Sequence, residues 1–328
     1  MHKSKISVVI CTRNRAEVLA ECLRSIANNK LQPFEILVVD QSTTDSTVDV
    51  VREFSATVPC AVRYLHHGYQ GLTKARNIGL KASTGDIVAF TDDDCIADQG
   101  WLEAITREFS DSRISCVCGQ TRPVHCWGRP KIAMLSTLNH NGRRVIRGKH
   151  NPLMIGRGNN MAFRRADLIK LGGFNECIGV GQPINAGDDS DVLYRLLESG
   201  RYVVHTPDAV VLHRQPEDWR RVLEKKHGYS ASAAAILCAR LRYGDIYAGM
   251  LLVGKIAYEL CWLFIGGIIR MNLMHASVGW HSFTGSLSGL GCFFKNDFCR
   301  EVRRLTMLAR ERDARRDTIA QPIRHRTS

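Results

Sequence analysis

What this chain lacks narrows its chemistry first. None of its 12 cysteines stands in C-x-x-C spacing, and Cys116-x-Cys118 is the only close pair. That excludes the common structural zinc frameworks and a dense disulfide scaffold; reduced thiols in the cytoplasm are the simpler expectation. No G-x-x-x-x-G-K-[ST] occurs, and Thr12-Arg13-Asn14-Arg15 stands where a dinucleotide fold carries G-x-G-x-x-G, so P-loop NTPase and nicotinamide oxidoreductase fall away. Without G-x-S-x-G, a serine hydrolase of the α/β type is unsupported. The first apolar run, Ile6 to Cys11, is only six residues long, shorter than a signal-peptide core, so export is not expected. The 27 glycines and 9 prolines follow no repeat, which sets aside collagen-like and low-complexity chains.

Charge comes next. The net charge is +13, with 27 Lys/Arg against 22 Asp/Glu in residues 1–214 and 18 against 10 in residues 215–328. A basic C-terminal part suits phosphates, whether of a substrate, an anionic lipid or nucleic acid. The length of 328 residues allows a sizeable core with one appended region.

The first hundred residues alternate β-rich runs with helical patterns. Ile6 to Cys11, Phe34 to Val39, Ala61 to Leu65 and Asp86 to Phe90 read as strands. Helical spacing follows at Val18 to Ile26, Asp45 to Phe54 and Leu72 to Ala82. Such alternation predicts an α/β fold with a doubly wound, mostly parallel sheet. Ligands in that architecture bind beyond the carboxyl ends of the strands, so the loops after Cys11, Val39 and Phe90 share the edge to search. Residues 115–214 are less regular: a strand near Ser115–Thr121, a basic stretch Arg143–Lys149, a helix from about Asp188 to Ser199 and a strand ending at Leu212.

Beyond Gln215 the pattern turns helical. Ile246 to Ile269 is apolar except for Lys255 and Glu259, spaced to pair on one helix face. Met271 to Phe294 has no charged residue but carries His275, His281 and four serines. Each stretch is long enough for a ~30 Å hydrocarbon core, but the polar residues make spanning expensive. Interfacial helices or a re-entrant hairpin on the cytosolic face of a membrane, beside the Arg-rich tail 295–328, are the expectation. A soluble helical subdomain is the alternative.

Four constellations carry chemistry. Asp92-Asp93-Asp94 directly follows a strand, and adjacent carboxylates repel unless a cation joins them; oxygen ligands suit Mg²⁺ or Mn²⁺. An acidic turn or a cap for the next helix would look the same. Asp40 ends the second strand, where an acid can accept from a base or ribose, or close an Asx-turn. Asp188, Asp189 and Asp191 open a helix, where the macrodipole favours acids and where a general base would also sit. His213 ends a strand at the acidic edge, as a structural histidine or a metal ligand.

Six segments, in order, resemble family 2 glycosyltransferases of the GT-A fold: SVVICTRNRAEVLAECLRSI, ILVVDQSTTDST, LTKARNIGLKASTGDIVAFTDDDC, GNNMAFRRADLIKLGGFNE, GDDSDVLYRL and VVLHR. The resemblance covers about residues 5–214 and implies metal-dependent, inverting transfer of a sugar from a nucleotide-diphosphate donor, UDP-sugar first among them, to a glycan or lipid-linked acceptor. By position it places Thr12, Arg15, Asp40, Arg76, Asp92 and Asp93 at the nucleotide. Asp94, Asp92 and His213 fall at the metal, Asp189 at the base position, and Asp188 beside it. The implied organisation is a catalytic domain at 1–214, with a nucleotide-sugar half to about 114 and an acceptor half to 214. A helical apolar extension at 215–294 and a basic tail follow. Q-x-x-R-W, the mark of processive synthases, is absent after His213, which favours single transfers. Nothing matched identifies the donor sugar or the acceptor, and nucleic acid is not an expected partner. A nucleotidyltransferase would carry a Gly-rich basic loop after the first strand, and CTRNRAEVL has no glycine. A non-catalytic lipid or nucleic-acid binder would not gather two acidic clusters in one cleft.

Overall fold

Strands that are apolar on both faces must be covered on both, and that requirement organises the N-terminal half. A computed structural model describes residues 4–68, 70–124, 142–214, 218–291 and 300–309. In chain order it forms β1 (Ile6–Thr12), α1 (Ala16–Ala27), β2 (Glu35–Asp40), α2 (Ser46–Ser55), β3 (Ala61–His66), α3 (Leu72–Ala82), β4 (Ile87–Asp92), β5 (Cys95–Ala97) and α4 (Trp101–Glu108). Then come β6 (Ile114–Pro123), β7 (Arg144–Ile146), β8 (Asn160–Arg164), α5 (Arg165–Lys170), α6 (Asp188–Glu198) and β9 (Tyr202–His213).

Together these strands make one mixed sheet in the order β3-β2-β1-β4-β8-β6-β9-β5, with β7 also on β9. β1 to β4 pair in parallel, β8 runs against β4 and β6, and β9 returns parallel to β6. The sheet is therefore mostly parallel in direction, as the alternation predicts. One face packs on α1, α2 and α4 through Leu23, Ile26, Phe54, Trp101 and Ile105. The other packs on α3, α5 and α6 through Leu80, Leu168, Val192 and Leu196.

Two departures from the sequence reading bear on the site. β4 runs past Phe90 to take in Asp92, because Cys11 of β1 pairs with Asp92 and Asn160 of β8 pairs with Thr91. The acidic run therefore starts inside the sheet. A short β5 follows it immediately, created by antiparallel pairing of Cys95 with His213 rather than by any local pattern.

Beyond β9, α7 (Trp219–Arg242) is capped by the Asp218 carboxylate, which accepts from Arg220 N at 3.1 Å. It packs along α10 (Leu273–Leu290) and against α8 (Ile246–Ala257), which continues through a π-helical segment, Tyr258–Ile265, into α9 (Gly266–Ile269). Lys255 and Glu259 do pair, and they point inward. Glu259 also accepts from Ser230 at 2.7 Å and from Ser286 at 2.6 Å, and Lys255 donates to Ser286 at 2.6 Å. Residues 246–269 form a helix long and apolar enough to cross a membrane, and 17% of its most apolar window is buried. Residues 292–294 and most of the tail lie outside the described residues.

Candidate active site

Parallel pairing brings the ends of three strands level: Thr12 is in register with Asp40, and Cys11 with Asp92. Asp93 and Asp94 fill the turn into β5, and the Cys95–His213 pairing sets the imidazole beside them. A cleft of about 730 Å³ opens at this edge, lined among others by Thr12, Arg13, Arg15, Asp92, Asp93, Asp94 and His213.

The first arm of the site is held by Arg15. Its Nη1 donates to Asp93 Oδ1 at 2.7 Å and its Nη2 to Asp94 Oδ2 at 2.9 Å, while Thr12 Oγ1 donates to Asp93 Oδ2 at 2.8 Å. Asp94 Oδ1 is buried, has no aligned hydrogen-bond donor, and faces His213 Nε2 at 3.3 Å. Burial opposes the charge on Asp94, but His213 and then Arg15 outweigh it and hold the carboxyl well below the usual range. Asp93 goes the other way. Burial pushes it up to about 6, against Arg15 and Thr12 and with help from its two acidic neighbours. Asp93 and Asp94 are thus pushed in opposite directions.

The Asp94 carboxylate, the His213 imidazole and the Cys95 thiol place ligand atoms within 4.8 Å of one another. Cys95 was not a sequence candidate. Burial pushes its thiol far up, and a thiol is a soft ligand that suits Mg²⁺ less well than a carboxylate does. The buried Asp94 oxygen without an aligned donor, opposite an imidazole, fits a divalent cation. Asp92, also expected on the metal, accepts from Arg76 through its Oδ1.

Arg76, buried on α3, builds the second arm. Its Nη2 donates to Asp92 Oδ1 and to Gly158 O, both at 3.0 Å, and its Nη1 donates to Asp188. Burial works against this guanidinium, but Asp188 and Asp92 more than compensate and raise its pKa. Burial raises Asp188 in turn, with Arg76 opposing. Gly158 N then donates to Asp189 Oδ2 at 3.1 Å, and Ser190 N to Asp189 Oδ1 at 2.7 Å. Adjacent positions on a helix diverge by about 100°, and so Asp188 turns to Arg76 while Asp189 turns to Gly158. Asp191 is fully buried and accepts from Arg195 Nε at 2.8 Å.

Not every candidate faces the cleft. Asp40 is fully buried; its Oδ1 accepts from Ser42 N and its Oδ2 from Tyr64 OH, both at 2.8 Å, and Gln41 is the neighbour that lines the opening. That is the Asx-turn of the two alternatives. The adjacent asparagines of GRGNN serve the fold: Asn160 accepts from Trp101 at 2.9 Å and donates to Gln120 O and Ala209 O, while Asn159 accepts from Thr121. No acid of the 92–94 run caps α4, whose N-cap is Gly100.

Sequence reasoning missed one wall. Arg221, Glu224, Lys225, Gly228 and Tyr229 of α7 line the same cleft. No spacing rule marks them, because they reach the site only by the docking of a helix that reads as a basic surface.

Comparison with known proteins finds the same fold elsewhere. The model of glycosyl transferase family 2 matches residues 7–172. A pre-mycofactocin glycosyltransferase of Mycobacterium tuberculosis is 28% identical over 76% of this chain and 50% of its own length. A glucosyl-dolichyl phosphate glucuronosyltransferase of Haloferax volcanii is 25% identical over 71% of this chain and 78% of its own. The chain spans about half the length of the first of these. Among solved structures, a mannosyltransferase from Pyrobaculum calidifontis in complex with GDP-Man and Mn²⁺ superposes with a TM-score of 0.63, at 20% identity and 88% coverage of both chains.

Proposed function

The chain belongs to glycosyl transferase family 2 and has the GT-A fold, and we propose that it moves single sugars from a nucleotide-diphosphate donor to a hydroxyl acceptor with inversion. The observation that carries this reading is the meeting of two acid arms at Asp92, Asp93 and Asp94, which line one cleft. Arg15 joins Asp93 and Asp94 beside His213, and Arg76 joins Asp92, Asp188 and, through Gly158, Asp189.

In this reading the donor lies along Thr12, Arg15, Asp92 and Asp93, with Arg76 and Asp188 fixing the floor between donor and acceptor. Asp40 braces the turn that carries Gln41 to the base. Asp94 and His213, with Asp92 near by, would hold Mg²⁺ or Mn²⁺, which when bound would supply positive charge against the leaving nucleoside diphosphate. Asp189 is only partly buried and has its second oxygen on Gly158 N, so it is oriented and accessible. It takes the proton of the acceptor hydroxyl as that oxygen attacks the anomeric carbon in line. Inversion follows without a covalent enzyme intermediate.

We take residues 1–214 as the catalytic domain, to which α7 adds a wall. The inward turn of Lys255 and Glu259 leaves Met250, Val253, Trp262, Ile265, Ile268 and Met271 exposed, and supports peripheral attachment to the cytosolic face of a membrane. Polysaccharide or glycolipid synthesis is the setting this suits.

A screen of UDP- and GDP-sugars with Mg²⁺ or Mn²⁺, read by released nucleotide, tests the proposal. Nucleoside diphosphate released by the wild type, and lost with EDTA, is expected. Pyrophosphate release would point instead to nucleotidyl transfer, and no turnover of any donor would leave a binding protein.

A further inference from the structure

Besides lining the cleft, α7 closes on the helix that carries Asp189. Arg240, near the end of α7, is fully buried, and its Nη1 donates to Glu198 Oε2 at 2.6 Å while its Nη2 stands 4.0 Å from Asp191 Oδ1. Both acids belong to α6, which begins with Asp188 and Asp189. The guanidinium carbon lies 3.8 Å from the centre of the Tyr194 ring, also on α6, and the Tyr194 hydroxyl donates to Asp245 at 2.7 Å. Asp245 in turn caps α8 by accepting from Ala248 N at 3.1 Å, and its Oδ2 is 3.9 Å from Arg240 Nη1. A cation taken wholly out of water is costly unless opposite charges meet it, and here α6 supplies two of them and α8 the third.

Asp188, Asp191, Tyr194, Arg195 and Glu198 recur at spacings of three and four, so they share one face of α6, and Asp189 points about 100° away from that face. Arg76 of α3 holds the face at Asp188, and Arg240 of α7 holds it at Glu198, about 15 Å further along at 1.5 Å per residue. Between them, Arg195 bonds Asp191 and ties the helix to the carbonyls of Leu171 at 3.0 Å and Gly173 at 2.8 Å. The N-cap fits α7 closely as well: a Cβ on Gly187 would stand 2.8 Å from Ile236 Cδ1. Such grips fix the roll of a helix. With a carboxylate about 6 Å from the axis, a roll of about 10° displaces it by about 1 Å. A displacement of about 1 Å costs on the order of 10²-fold in rate.

We propose that Arg240 is a positioning residue for transfer: from the far end of α6 it fixes the roll of that helix, and so the direction of Asp189, without touching substrate. The proposal rests on the transferase reading with Asp189 as base.

Three variants of the full chain test it. Leu252→Ala is the control, because Leu252 is buried in the same apolar cluster from α8 and its loss removes no charge. It should lower the melting temperature and leave kcat within 2-fold. Arg240→Lys keeps a charge beside Glu198, but an ammonium cannot serve Glu198, Asp191 and the Tyr194 ring together. It should cut kcat at least 10-fold and leave the donor KM within 2-fold. Glu198→Ala, at a partly exposed position, removes the same grip from the α6 side and should show the same split if the lysine variant does not fold. Amide hydrogen exchange over residues 188–192 should rise in Arg240→Lys and Glu198→Ala but not in Leu252→Ala, with β1 to β4 still protected in all three. Exchange reads the helix whether or not sugar is transferred, so a wild type without turnover would fail the transferase reading and not this one. Loss of kcat in step with melting temperature across all three variants would reduce Arg240 to a structural role and overturn the proposal. Unchanged exchange at 188–192 in both Arg240→Lys and Glu198→Ala would overturn it as well.

Discussion

Gly158 shows how much a single residue carries here. Its carbonyl takes Arg76 and its amide holds Asp189, so it couples the buried guanidinium to the proposed base. An added Cβ would stand 2.9 Å from Arg76 Nη1. Arg76 is buried and fully committed, so it can yield only by loosening Asp92 or Asp188. Gly158→Ala should lower kcat by about 10²-fold, the scale of a 1 Å misplacement, with donor binding less affected; single-turnover transfer measures it. Asp189→Asn should cost about 10²–10⁴-fold in acceptor transfer, since the amide keeps the shape but takes no proton. If Asp188→Asn alone abolished transfer and Asp189→Asn did not, the two roles would be reversed. The sequence exposed both acids but not Gly158, because a backbone bond leaves no side-chain signature.

Between elements, Glu35 is the tie at the amino end of β2. It accepts from Ser7 at 2.7 Å and from Thr84 N at 2.7 Å and Oγ1 at 2.8 Å, with Arg63 at 3.2 Å, so β1, β3 and the end of α3 meet on one buried carboxylate. Burial alone would raise its pKa, but these donors outweigh burial and lower it. A depressed carboxyl stabilises the fold above its unfolded pKa, and that stabilisation is lost as pH falls through the folded value. Glu35→Gln should therefore cost about 1–3 kcal/mol at pH 7, a gap that closes below about pH 4; urea melts across that range check it. The larger elements could be read from sequence because their patterns are local: α3 runs from Leu72 to Ala82, as its spacing predicts. β5 and β7 could not, since three residues each become strands only by pairing with β9. The wall supplied by α7 was hidden for the same reason.

At the scale of the whole molecule, the helix over 246–269 turns Lys255 and Glu259 inward and leaves many of its apolar residues outside. From sequence, Lys255 and Glu259 count against a membrane; the fold removes the objection by closing them on Ser230 and Ser286. Exposed Trp262, Ile265, Ile268 and Met271 should carry the protein onto anionic vesicles, and Ile265→Ser with Ile268→Ser should cut the bound fraction several-fold in flotation. Release of the wild type by high salt alone would show a purely electrostatic contact. α7 links the two regions, lining the cleft with Arg221 and Tyr229 and packing along α10.

The most direct measurement is electron paramagnetic resonance of Mn²⁺ with the protein and a nucleoside diphosphate. One Mn²⁺ per chain with phosphorus hyperfine coupling is expected, lost in Asp94→Asn and weakened in His213→Gln, while the melting temperature stays within a few degrees. Mn²⁺ bound equally by Asp94→Asn, or bound without coupling to phosphorus, would contradict the assignment of Asp94 and His213 to a cation that meets the leaving group.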